Sequence, residues 1–383
     1  MKRWGWMLTA AALMLALLPV QVRAEGPQVP AKSALLMDAA TGTVLCQQNA
    51  HEKLAPASVT TVMTLLLVME AIDSGQLDWQ DTVTASETAA AKGGSQIYLK
   101  AGEQMTVEDR VKAVAVSSAN DCACALAEHL AGSESAFAEL MNRRAGELNM
   151  QDTHFVNCTG LDDAPEAAQH RTSAWDIAIM SRELLTRHPD IKKYTTIWMD
   201  TLRNGTFGLS NTNKLIRFYP GATGLKTGFT AAAGYCLSAS ARREGMELIA
   251  VVMGCESSKE RLNACRTLLD HGFARYAVVT PELPGDARVP VKLGRVEFVR
   301  AVPARQVEKL MEKAQKNQIS TRLELEEGIT APVSKGQKLG TVQILVGEQV
   351  LEEVPMVAES TVERLRFGEL FVMALRAMAM CGD

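Results

Sequence analysis

Residues 234–254 read GYCLSASARREGMELIAVVMG, and this stretch sets the fold class. Its first half alternates, as a strand with one buried face does. Glu244–Gly245 offers a turn, and an apolar run follows, so the stretch predicts an antiparallel hairpin. Downstream, SSKERLNACRTLLDHGFARY at 257–276 returns to helical spacing. Far upstream, SALLMDAATGTVLCQQNA at 33–50 reads as two short strands around a turn at Ala40–Gly42. Helices lie between. LAPASVTTVM at 54–63 opens one, with Pro56 before Ser58 and then Val62, Leu65, Leu66, Met69 and Ile72 on one face, up to a stop at Gly75. TVEDRVKAVAV at 106–116 opens another, with Thr106 and Asp109 in capping-box positions. Further helices run from about Asp121 to Leu130 and over SAWDIAIMSRELL at 173–185. Strands at both ends with helices between predict an α/β (α+β) domain over 29–276, whose antiparallel sheet joins the two ends of the segment.

The chain has 383 residues, 47% of them hydrophobic, enough for two domains with buried cores. Net charge is −4 with a pI near 6.0, which gives no basic footprint for nucleic acid. Residues 1–24 combine Lys2 and Arg3, an apolar run from Trp6 to Val20, and small residues at Val22 and Ala24. That is the pattern of a secretory signal peptide cut after Ala24, with an uncleaved anchor as the alternative, and it places the mature protein outside the cytoplasmic membrane.

Around VVTPELPGDARVPV at 278–291 the composition shifts to Pro, Gly and Val. RVEFVRAV, TRLELEE and TVQILVGEQV then read as short strands of a β-rich domain over 277–358. The tail, 359–383, pairs Ser360 with Glu363 as a capping box. Val362, Leu365, Phe371, Val372, Leu375 and Met378 are set among Arg364, Arg366 and Arg376. It is too interrupted by charge to span a bilayer, and predicts an amphipathic helix lying on a membrane surface; the alternative is a helix packed on the second domain.

Eight cysteines follow no framework spacing and read as buried thiols; no metal site is expected. His129, His154 and His170 show no ligand spacing, and Asp121 and Glu128 read as local bonding groups.

Three short motifs stand in order: Ser58 at the head of an apolar helix, Ser118-Ala119-Asn120 between two helices, and Lys226-Thr227-Gly228 just before a hairpin strand. Serine acyltransferases use S-x-x-K, S-x-N and K-T-G in this order. A serine at a helix start presents its backbone N–H to a developing oxyanion, and a lysine three positions later lies one turn away, within reach of the serine proton.

With LAPAS, SSANDCACALAEHLAG, NTNKL and FYPGATGLKTGFT, these motifs resemble the low-molecular-mass penicillin-binding proteins, the serine D-alanyl-D-alanine carboxypeptidases. The resemblance implies a penicillin-binding/β-lactamase-like catalytic domain with a helical cluster, a β-rich domain and a membrane-surface helix. It implies an acylated Ser58, with Ser118 and Asn120 as the second motif and Lys226, Thr227 and Gly228 as the third. The backbone N–H groups of Ser58 and Phe229 are implied as the oxyanion hole. The implied substrate is a peptidoglycan stem peptide ending in D-Ala-D-Ala, with β-lactams as inhibitors and no cofactor. The chain departs from the pattern at position 61, where the lysine is replaced by Thr61. Two readings follow: a carboxypeptidase impaired at its base, or a non-catalytic protein that binds peptidoglycan or β-lactams. A β-lactamase is disfavoured by the added β-rich domain and tail.

Overall fold

The computed structural model describes residues 26–282 and 287–380, with side chains through 373 and at Leu375 in the last helix. The expected signal peptide and Cys381 lie outside the described residues. The chain divides into two compact units after Gly272.

The first unit is built on a five-stranded antiparallel sheet. Its strands are β1 (Ser33–Asp38), β2 (Val44–Gln48), β3 (Ala222–Thr230), β4 (Gly234–Arg243) and β5 (Met246–Cys255), in the order β2-β1-β5-β4-β3. The β4–β5 hairpin turns at Glu244–Gly245, both at positive φ. Pairing of β1 with β5, Ser33 opposite Met253 through Asp38 opposite Leu248, joins the two ends of the unit as expected.

The longer helices are α1 (Thr61–Asp73), α2 (Val107–Ser117), α3 (Asn120–Ala131), α4 (Glu134–Glu147), α5 (Ala174–Arg187) and α6 (Ser258–Arg275). Thr106 Oγ1 caps α2 by accepting from Asp109 N at 3.1 Å, and Ser173 caps α5 in the same way. Nine of the thirteen residues of α1 are buried. A helix apolar on nearly every side belongs at the centre of a cluster, and α1 packs there against α3 and α5.

The second unit carries a six-stranded sheet and a two-stranded pair, Tyr276–Val279 with Lys309–Glu312. Its core is made by Val289, Val299, Leu339, Val342, Ile344, Val354 and Met356. TVQILVGEQV is a hairpin rather than one strand: Lys338–Val346 turns at Gly347 and returns as Gln349–Ala358.

The tail differs from expectation at its start. Helix α7 spans Phe367–Met380, so Ser360 and Glu363 do not cap it. Val362 is extended instead, exchanging backbone bonds with Val333 at 2.8 and 2.9 Å, and its side chain is buried in the unit's core. An apolar residue with a core to fill wins over a local cap worth about 1 kcal/mol. The first turn is closed by Arg366 N donating to Glu369 Oε2 at 2.7 Å.

Candidate active site

Ser58 lies on the 3-10 turn Ala57–Thr60 that leads into α1, and it occupies the cap position of neither element. Two glycines allow the chain to approach this turn. A Cβ on Gly160 would lie 1.9 Å from the Ala57 carbonyl oxygen. On Gly228 it would lie 2.6 Å from the Pro56 oxygen and 3.1 Å from the Ser58 nitrogen. Only hydrogen fits at either place. Gly228 belongs to β3, an edge strand, so the K-T-G motif sits within a strand and not just before one.

Thr61 is fully buried, and its Oγ1 donates to the Ser58 carbonyl at 2.9 Å. Its hydroxyl is committed to backbone and is no base near neutral pH. Lys53 is engaged elsewhere, on the Gln151 carbonyl at 3.2 Å and near Asp152.

The second and third motifs meet. Helix α2 ends at Ser118, which takes the left-handed conformation (φ 63°, ψ 33°), and α3 starts two residues later. That corner turns Ser118 Oγ to Lys226 Nζ, which donates to it at 2.6 Å and to the Thr227 carbonyl at 2.8 Å. Lys226 is 1% exposed. Burial, and then the charge of Arg261, pulls its pKa down from 10.5 to about 7. Asn120 is also buried; its Nδ2 donates to the Gly93 carbonyl at 2.9 Å. Its Oδ1 has no partner among the described residues, a deficit of about 1–3 kcal/mol that a ligand N–H can remove. Thr227 Oγ1 donates to Thr212 Oγ1 at 2.8 Å, and Thr212 N bonds the Val116 carbonyl. Phe229 points outward, half-exposed, with its ring 4.3 Å from that of Tyr235.

Three contributors escape a reading of motifs. Arg261 on α6 donates to the Gly228 carbonyl at 3.1 Å and places a second cation near Lys226. Thr212, inside the NTNKL stretch, carries the bond to Thr227. His170 fixes the turn that bears Ser58. Its Nδ1 accepts from Val156 N at 3.2 Å, so the proton sits on Nε2, which donates to Thr60 Oγ1 at 2.9 Å. Thr60 Oγ1 in turn donates to the Ala57 carbonyl at 2.8 Å, holding a residue at φ +49° just before the serine. A lone histidine 112 positions from the serine it supports leaves no local signal in the sequence.

Burial, and then the charges of His154 and Arg171, lowers the His170 pKa from 6.5 to about 4. Below 6.5 the unfolded chain takes up a proton that the folded chain refuses. Stability should therefore fall as pH drops from 6.5 to 4, by about 3 kcal/mol at most from this group. Urea unfolding at pH 7.5 and 4.5 measures the loss, and His170→Gln should shrink the difference between the two. An unchanged difference would remove His170 as its source.

Residues 20–257 match the family described as D-alanyl-D-alanine carboxypeptidase. Residues 283–364 match penicillin-binding protein 5, C-terminal domain. The chain is 42% identical over 343 residues to D-alanyl-D-alanine carboxypeptidase DacF of Bacillus subtilis, covering 88% of this chain and 87% of that one. Penicillin-binding protein 6B of Escherichia coli superposes with a TM-score of 0.71 at 30% identity, over 88% of this chain and 98% of that one. Penicillin-binding protein D2 of Listeria monocytogenes, solved in its ampicillin-bound form, superposes with a TM-score of 0.57 at 30% identity, over 65% of this chain and 100% of that one.

Proposed function

The chain belongs to the D-alanyl-D-alanine carboxypeptidase family, and from that premise we propose that it takes peptidoglycan stem peptides ending in D-Ala-D-Ala and removes the last residue, slowly, through an acyl-enzyme on Ser58. Lys226 and Thr227 hold the terminal carboxylate. Asn120 Oδ1 accepts from a substrate amide. The N–H groups of Ser58 and Phe229 receive the oxyanion as Ser58 Oγ attacks the penultimate carbonyl carbon. The Ser58 proton leaves to a base, the C–N bond breaks, and the amine takes a proton as D-alanine departs. Water then cleaves the ester.

The base is the weak part. Lys226 loses its proton near pH 7 and touches Ser118, so the Lys226–Ser118 pair takes the role left vacant at position 61. This pairing is the observation that carries the proposal. The second reading, a protein that binds cell-wall peptides without cutting them, is favoured by the commitment of the Thr61 hydroxyl to the Ser58 carbonyl. β-Lactams, which carry a carboxylate beside a strained amide, are the expected inhibitors. Intact mass after incubation with benzylpenicillin separates the readings. A covalent adduct that disappears in Ser58→Ala supports the enzyme; no adduct after prolonged incubation leaves the binding protein.

The protein is expected to act outside the cytoplasmic membrane and to rest on it through α7. No helix among the described residues is long and apolar enough to cross a membrane. On α7, Phe367 is 83% exposed, and Phe371, Val372, Met373 and Leu375 are exposed as well. The full chain should float with anionic phospholipid vesicles, while a chain ended at Arg366, which keeps Val362 in its core, should remain at the bottom of the gradient. Equal behaviour of the two would end the membrane assignment.

A further inference from the structure

Away from the serine, three potential ligand atoms come together: Cys124 Sγ, Cys158 Sγ and a carboxylate oxygen of Glu134, all within 4.8 Å of one another. They come from three elements. Cys124 is on α3, Glu134 is the first residue of α4, and Cys158 is in the segment between α4 and α5. Both cysteines are fully buried. The carboxylate already faces them, since Glu134 Oε1 accepts from Cys158 Sγ at 3.2 Å and from Cys158 N at 3.4 Å. Its other oxygen accepts from Lys92 Nζ at 2.5 Å. Lys92 and Glu134 are each about one-sixth exposed, so this ion pair separates the thiols from solvent.

We propose that Cys124, Cys158 and Glu134 bind a thiophilic divalent ion of the zinc class. In a tetrahedral zinc site with Zn–S near 2.3 Å and Zn–O near 2.1 Å, neighbouring ligand atoms lie about 3.4–3.8 Å apart. Cys158 Sγ and Glu134 Oε1, 3.2 Å apart, need only separate by a few tenths of an ångström, and no pair among the three exceeds 4.8 Å, so a small adjustment reaches that spacing and leaves one position for water. On binding, the two thiols release two protons. The ion's two positive charges and that of Lys92 then balance two thiolates and one carboxylate, so the site closes without net buried charge. Cys122 is excluded: two positions before Cys124, it faces another side of α3, against Arg110.

The position of the site gives the ion a consequence. Cys124 lies one turn after Asn120. The Cys158 carbonyl accepts from Thr64 Oγ1 of α1 at 2.6 Å, and Gly160, two residues on, packs against the Ala57 carbonyl. Metal binding therefore ties the start of α3 to the segment that backs the Ser58 turn.

The test uses the full chain, reduced and freed of metal by dialysis against a chelator. Titration with cadmium(II) should give a cadmium–thiolate absorption band that saturates at one equivalent, with one bound ion by native mass spectrometry. Zinc(II) should displace it. Cys124→Ser and Cys158→Ser should each weaken binding at least tenfold, and Glu134→Gln should weaken it while leaving the buried thiols undisturbed. Cys255→Ser should bind as the unmutated chain does. Absence of a one-equivalent band overturns the proposal. So does a band that survives both serine variants, or isolation of Cys124 and Cys158 as a disulfide.

Discussion

Thr61→Lys should raise the rate at which benzylpenicillin acylates Ser58 by at least tenfold. Position 61 opens α1 one turn beyond the serine, where a side chain three residues on shares its face. General-base help is worth about 10²- to 10⁴-fold, or roughly 3–5 kcal/mol of barrier. The present residue supplies none of it, because the Thr61 hydroxyl already donates to the Ser58 carbonyl. The gain should fall short of the full range if, as proposed above, Lys226 next to Ser118 does part of the work in the parent chain. Acylation rates for both proteins, by intact mass against time, decide the matter, with a thermal melt to confirm that the longer side chain is accommodated in a buried position. Equal rates would mean that position 61 does not limit acylation. Lys226→Ala in the Thr61 background should then abolish what acylation remains.

The fold was legible because its signals are local and repeated. The β4–β5 hairpin announces itself by alternation and a Glu-Gly turn, α1 by its apolar spacing, and α2 by its capping box. The start of the tail departs from expectation for the opposite reason. Ser360 and Glu363 satisfy a local rule, but Val362 answers to a partner, Val333, that lies 29 positions away. The same division runs through the site. Ser58, Ser118, Asn120 and Lys226 are visible as short motifs, and the structure sets Lys226 on Ser118 and Gly228 against the Ser58 backbone. What motifs cannot carry is the environment that sets their chemistry. The burial that brings Lys226 to a neutral-range pKa, the charge of Arg261 beside it, and the His170–Thr60 chain under Ser58 all depend on contacts between distant segments. Cys124 and Cys158 read as two unremarkable thiols until the fold placed Glu134 between them and Lys92.

Lys226 should bind the terminal carboxylate of a D-Ala-D-Ala tripeptide, and that affinity should fall as pH rises above 7. A charge-assisted hydrogen bond is worth about 1.5–3 kcal/mol, so Lys226→Ala should weaken equilibrium binding about tenfold or more at pH 6.5. The sign of the pH effect follows from the free protein. Below about 7 Lys226 is an ammonium and affinity is flat. Above it the lysine sheds its proton, and the bound carboxylate, which favours the charged form, must draw it back. Each further pH unit then costs up to about tenfold in affinity, until the raised pKa of the complex is passed. The alanine variant and a C-terminally amidated peptide should both bind weakly and without this dependence. Pre-steady-state acylation at saturating penicillin should move the other way, rising at higher pH, around the raised pKa of the complex, as Lys226 becomes able to take a proton. The two demands oppose each other: one ammonium cannot hold the substrate carboxylate and serve as the base for Ser58 at once. The reactive complex has substrate bound and Lys226 neutral, and a single proton separates it from the tight-binding form, so its population only grows as pH rises. Turnover of the peptide by the unmutated chain should therefore climb through and above neutrality to a plateau while KM worsens. Thr61→Lys, which gives the two tasks to separate lysines, should instead give a bell, because Lys226 must then stay charged while the new side chain is neutral. A parent profile that falls at alkaline pH as the variant's does would show that Lys226 is not performing both tasks.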